Sequence, residues 1–135
     1  MTKTVAAAWL KILNTAGEPS RPKGSPLLEP FAKLVRVANA EPLLRQLHPW
    51  TGMWELHFSR CTEPRYTWDI PYIGTLRNGW YYVEGPRRSS PRIAETNSAQ
   101  AAVAIVIERL PPHCGPAFIG SPEALAAYEA ARNDR

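Results

Sequence analysis

Between Trp54 and Cys61 the chain alternates strictly: Trp54, Leu56, Phe58 and Arg60 fall on one side, Glu55, His57, Ser59 and Cys61 on the other. This is the period of a strand whose successive side chains leave opposite faces. One face is mostly apolar. The other carries a carboxylate, an imidazole, a hydroxyl and a thiol in a row. Elsewhere the period is helical. Val5, Ala8, Trp9, Ile12, Leu13 and Ala16 follow i, i+3, i+4 spacing, with Thr4 as N-cap and Gly17 as the stop. Pro30 and Pro42 each suit a first helical turn and predict short helices over 30–38 and 42–47. His48-Pro49 closes that region, because proline pushes the preceding residue to extended geometry. Ala99, Ala102, Val103, Val106, Ile107 and Leu110 form another helical stripe. Asn97 is its expected cap, with Gln100 reaching back, and Pro111-Pro112 ends it. Ser121-Pro122 opens a last, Ala-rich helix.

Strands are predicted over 53–61, 66–70, 72–77, 80–84 and 91–95. Asn78-Gly79 is a strong hairpin signal, since a type I′ turn needs positive φ at both positions. That register pairs Arg77 with Trp80 and Thr75 with Tyr82, and puts Tyr72, Leu76, Tyr81 and Val83 on the core face. Helices, then an antiparallel meander, then a long helix make an α+β fold with the helices on one face of the sheet. The expectation is a single domain over 1–135, with a flexible connection over 17–27 and a peripheral helix over 121–135.

Composition adds exclusions. The chain has 135 residues, 44% hydrophobic and 21% charged, enough to bury a core without staples. The net charge of +4 is spread out. The densest groups, Arg87-Arg88 with Arg92 and Arg21 with Lys23, do not form the basic stripe with interleaved aromatics of a nucleic-acid binder. No apolar run reaches the roughly eighteen residues of a membrane span, and Lys11 with Asn14 breaks the signal-like start. A cytoplasmic protein with free Cys61 and Cys114 is expected. His48, His57, His113 and the cysteines lack the close spacing of structural zinc sites, and no phosphate loop, nucleophile elbow or nucleotide fingerprint occurs. Neither a metal nor a cofactor is expected.

His57 is the leading acid–base candidate, because imidazole titrates near neutrality. Glu55 and Ser59 are its same-face neighbours at about 7 Å; a hydrogen-bonded strand histidine is the competing reading. Cys61 lies about 13 Å along the strand from His57, which favours a buried, inert thiol over a nucleophile. Asp69, between Trp68 and Ile70-Pro71, is either an acid–base group in an aromatic setting or a turn carboxylate. Arg60 interrupts an apolar face and is expected to pair with Asp69 or Glu63. Aromatic residues crowd positions 50 to 82. Trp50, Trp68, Trp80 and Tyr82, with Ser59 and Cys61, are the expected pocket-lining positions.

Pro49-Trp50, Leu56-His57-Phe58-Ser59-Arg60-Cys61-Thr62 and Tyr66-Thr67-Trp68-Asp69-Ile70-Pro71 together resemble a family of small bacterial proteins found beside secondary-metabolite genes and labelled natural product biosynthesis proteins. Leu110-Pro111-Pro112-His113-Cys114-Gly115-Pro116-Ala117 is similar to the same family, so the resemblance spans residues 9–120. It implies a biosynthetic setting, with Trp50, His57, Ser59, Arg60, Cys61 and Asp69 at motif positions. The Arg87-Arg88-Ser89-Ser90-Pro91 loop departs from the family's plainer turn. Two functions follow as expectations. In one, a small-molecule intermediate undergoes cofactor-independent isomerisation, cyclisation, dehydration or hydrolysis. His57 is its acid or base, Glu55 or Asp69 orients it, and Arg60 stabilises an anionic oxygen. In the other, a non-catalytic accessory module binds a carrier domain, precursor peptide or pathway enzyme through Arg87, Arg88 and Arg92 or the edge strand at 91–95.

Overall fold

The computed structural model describes residues 2–16, 26–87, 90–112 and 114–133. The expected stop at Gly17, most of the 17–27 connection, Arg88 and His113 lie outside them. Among the described residues there are five helices and one five-stranded antiparallel sheet, ordered α1 (Lys3–Ala16), α2 (Leu28–Ala40), α3 (Pro42–Arg45), β1 (His48–Gly52), β2 (Glu55–Ser59), β3 (Tyr72–Thr75), β4 (Tyr81–Glu84), β5 (Ala94–Thr96), α4 (Ala99–Glu108) and α5 (Pro122–Asn133). The strands follow chain order across the sheet, so the protein is α+β with a β-meander.

The apolar side of the 54–61 alternation builds the core. Leu56, Phe58, Ile73, Tyr81 and Val83 are buried with Trp9 of α1, Leu34, Val35 and Ala38 of α2, and Ala102, Val103 and Val106 of α4. Two polar tips anchor helices to the sheet region. The Trp9 indole N–H donates to the Leu47 carbonyl at 3.0 Å, and the Tyr81 hydroxyl donates to the Pro30 carbonyl at 2.8 Å. Buried amphipathic tips of this kind normally find such partners.

Several elements differ from expectation. Thr2, not Thr4, caps α1, its hydroxyl accepting from Val5 N at 3.2 Å. Ser98, not Asn97, caps α4, accepting from Ala101 N at 3.1 Å. His48–Gly52 is a strand that the turn-like Pro49 and Gly52 concealed; it reaches β2 through a tight turn at Met53 and Trp54, with φ of 52° and 63°. Those angles demand the left-handed region of two bulky residues, and the Trp54 ring edge packs on Phe31 of α2 at 5.7 Å. Residues 66–69 form no strand. They cross the polar face of the sheet as an irregular segment.

The β3–β4 hairpin also turns differently. Leu76 N donates to the Trp80 carbonyl at 2.8 Å and Gly79 N to the Leu76 carbonyl at 3.1 Å, and of residues 77–79 only Gly79 has positive φ, 83°. This is a three-residue loop, a turn followed by one left-handed residue, rather than a two-residue type I′ turn. The pairing is therefore Thr75 with Tyr81 and Gly74 with Tyr82. A one-residue change in register exchanges faces, so Tyr72 leaves the helix side and joins His57.

Candidate functional site

Two rows of cross-strand neighbours define the polar face. In the first, Trp50 of β1 is paired with His57 of β2, and the Leu56–Ile73 pairing sets Tyr72 of β3 on the other side of His57. The imidazole is sandwiched: Trp50 stacks on it at 3.9 Å between centroids and 14°, and Tyr72 at 4.4 Å and 25°. Trp68, from the crossing segment, meets it edge-on at 5.3 Å. Beyond Trp50 the stack continues through Tyr66, at 5.2 Å, which also lies against His48 at 5.5 Å. His57 is only 3% exposed. Such ring pairs contribute about 0.5–1.5 kcal/mol each beyond area burial, so the stacked rings favour one another's positions.

The second row runs Gly52, Glu55, Gly74, Tyr82 and Glu95 across all five strands. Glu55 receives His57 Nε2–H on Oε1 at 3.1 Å and the Tyr82 hydroxyl on Oε2 at 2.5 Å. A buried carboxylate needs donors to remain in place, and here both oxygens have one. The result is a continuous Tyr82–Glu55–His57 chain. Burial, then the hydrogen bond and charge of Glu55, raise the Tyr82 pKa far above its ordinary value, so its phenol stays a donor. Arg92 lies 4.4 Å over the Tyr82 ring and is bridged to Glu84 and Glu95, both at 3.1 Å.

The remaining candidates separate from this centre. Ser59 latches the crossing segment: its hydroxyl accepts from Cys61 N and Thr67 N, both at 3.1 Å. Cys61, fully buried, donates its thiol to the Glu63 carbonyl at 3.4 Å. Arg60 binds Asp69 through Nε at 2.6 Å and Glu129 of α5 through Nη1 at 2.9 Å. Burial opposes its charge, but the two carboxylates prevail and its pKa is raised. Arg60 and Asp69 thus form the expected ion pair with each other rather than a pair with His57. Trp80 stands at the hairpin end, 39% exposed. Of the expected lining residues, Trp50, Trp68 and Tyr82 are gathered around the His57–Glu55 pair.

Sequence reasoning missed Tyr72, Tyr66, His48 and Gly74. The hairpin loop length would have revealed the first; Tyr66 and His48 join the column only because the 66–69 segment folds back.

Two clefts flank this face. One, of about 340 Å³, lies between α1 and β1 and is lined by His48, Trp50 and Tyr66 opposite Lys11 and Ile12. His48 Nδ1 and Trp50 Nε1 are both buried without a hydrogen-bond partner, and burial lowers the His48 pKa, favouring the neutral ring. The other, of about 700 Å³, lies between Arg60, Phe118 and α5. His57 lines neither. Among the described residues no three or more His, Cys, Asp or Glu side chains gather to hold a metal ion, and no helix is long and apolar enough to cross a membrane.

No curated protein and no solved structure matches the chain. Residues 3–121, from α1 to the residue before α5, match a family model, and the chain belongs to that family, a family of unknown function (DUF6193).

Proposed function

We propose that the protein binds a small organic molecule, an intermediate of secondary-metabolite biosynthesis, in the cleft between α1 and β1. The wall of that cleft carries the reading. Its volume of about 340 Å³ suits a small ligand, and two of its lining rings hold nitrogens buried without partners. An unpaired buried donor costs about 1–3 kcal/mol, a cost that an acceptor on a bound molecule offsets once the ring turns its nitrogen toward the cleft. The aromatic lining suits ligands with apolar, conjugated surface. The biosynthetic setting rests on the resemblance of the 49–71 and 110–117 segments.

Titration with a panel of conjugated phenols and carboxylic acids, followed by thermal shift, tests this. Saturable binding is expected. Trp50→Phe, which keeps a ring and removes the N–H, should weaken it about tenfold or more, while Trp80→Phe should leave it unchanged. Equal affinity in the two variants would sink the reading.

A second reading, acid–base chemistry on the bound molecule, is favoured by the Tyr82–Glu55–His57 chain, which can hold a proton beside the wall. It requires Trp50 or Trp68 to move aside. His57→Gln would then abolish turnover and preserve ligand affinity; loss of neither would exclude it.

A further inference from the structure

The second cleft carries an inference independent of the first. Helix α5 lies beyond the segment shared with the family, and it meets the body through one face. Leu125 is 6% exposed, the Tyr128 ring tilts against Phe118 at 5.4 Å, and Glu129 reaches Arg60 at 2.9 Å. These three residues stand at i, i+3 and i+4, which is one side of a helix. The surface they meet is fixed without them. Phe118 N donates to the Arg60 carbonyl at 2.8 Å, and the Phe118 carbonyl accepts from Thr62 N at 3.1 Å. Arg60 is already held by Asp69 at 2.6 Å.

One guanidinium therefore serves two carboxylates. Glu129 is the more exposed of them, with 46% of its side chain accessible against 35% for Asp69, and it is the one on the appended helix. Tyr128, the aromatic anchor, is still 49% exposed. The contact leaves a cleft of about 700 Å³ between helix and body, so α5 covers this shelf without filling it.

We propose that the Arg60–Phe118 shelf is a docking groove for an amphipathic helix of a partner protein, and that α5 occupies it in cis. The partner helix carries an aliphatic residue, an aromatic residue and a carboxylate at i, i+3 and i+4, the pattern that α5 itself displays. Helix-in-groove recognition reads such anchors, and Arg60 supplies the charge that selects an acidic helix over a neutral one. Because α5 is tethered, it competes at high effective concentration, so the groove is open to a partner only in the fraction of molecules with α5 released.

A fluorescein-labelled peptide of sequence 121–133 serves as the probe, titrated against the full-length chain and against full-length Tyr128→Ala/Glu129→Gln. Both changes lie on α5 and leave the shelf intact. The variant should bind the peptide about tenfold more tightly than the wild-type chain, and a peptide carrying Glu129→Gln should lose most of that gain. Hydrogen exchange should rise across 122–133 in the variant and stay unchanged in β2 and β3. Equal peptide affinity for both chains would overturn the proposal. So would exchange that spreads into β2, which would make α5 an integral wall instead of an occupant.

Discussion

The ring of Tyr82 lies over Gly74, so closely that a Cβ built on that glycine would stand 2.0 Å from the phenol's Cζ. The two are direct cross-strand partners. The missing side chain on β3 is what lets the phenol pass over a whole strand to Glu55 on β2. Gly74→Ala should therefore cost about 1–3 kcal/mol through overpacking and detach Tyr82 from Glu55. In urea unfolding, Gly74→Ala should be far milder when introduced into Tyr82→Ala, a coupling expected of neighbours in contact. Simple additivity of the two changes would contradict this account.

Tyr82 should also weaken the fold at alkaline pH. Its pKa is raised from 10.0, by burial first and by Glu55 second. The unfolded chain releases this proton near pH 10 while the folded chain keeps it, so the contribution is complete below pH 10 and is lost as pH climbs beyond. Tyr82→Phe should cost about 1–3 kcal/mol at neutral pH by stripping Glu55 of a donor, and should flatten the alkaline limb. Tyr66 and Tyr81, also raised by burial, leave a residual slope. Chemical denaturation at a series of pH values between 8 and 11 measures both effects.

At the acid end His48 acts in the opposite sense. Burial lowers its pKa from 6.5. The unfolded chain takes up a proton below that value and the folded ring resists it. Stability from this group is thus complete above pH 6.5 and declines as pH falls toward the lowered folded value. His48→Gln should shrink the acid slope. In NMR titrations the His48 ring should begin to shift only below pH 6.5; a midpoint at the ordinary value would contradict its burial.

The β1–β2 turn offers a gain in stability. Met53 is 85% exposed with φ of 52°, so its side chain contributes little while its backbone occupies a region that favours Asn and Gly. Met53→Asn should stabilise the protein by about 0.5–1 kcal/mol, read as a higher melting temperature. Trp54 shares the conformation at 63° but packs on Phe31, so Trp54→Gly should destabilise instead.

What was legible in the sequence was local. The 54–61 alternation placed Glu55, His57, Ser59 and Cys61 together on one face, the helical stripes located α1 and α4, and Pro30 marked the region of α2. The Arg60–Asp69 pair was readable because an arginine on an apolar face needs a carboxylate nearby. The rest depended on single-residue counts or long-range returns. Asn78-Gly79 announced a hairpin, yet whether two or three residues made its loop decided which face Tyr72 occupied and whether Tyr82 met Thr75 or Gly74 across the ladder. Pro49 and Gly52 disguised an edge strand, where a proline interrupts no central ladder. Nothing near Tyr66 shows that it slides beside Trp50, nor does any pattern around Glu55 show that its second donor comes from β4 across a glycine.

The stacking of Trp50 on His57 at 3.9 Å makes the candidate wall its own optical reporter. An indole so near an imidazole has an excited state that depends on the spacing, tilt and protonation of that ring. Any molecule that displaces Trp50, or any change that repositions His57 through Glu55, should therefore alter the emission of this tryptophan. Substituting Trp9, Trp54, Trp68 and Trp80 by phenylalanine would leave a single tryptophan, which excitation at the red edge of the indole band reads apart from the tyrosines, able to register events at the wall without an attached dye.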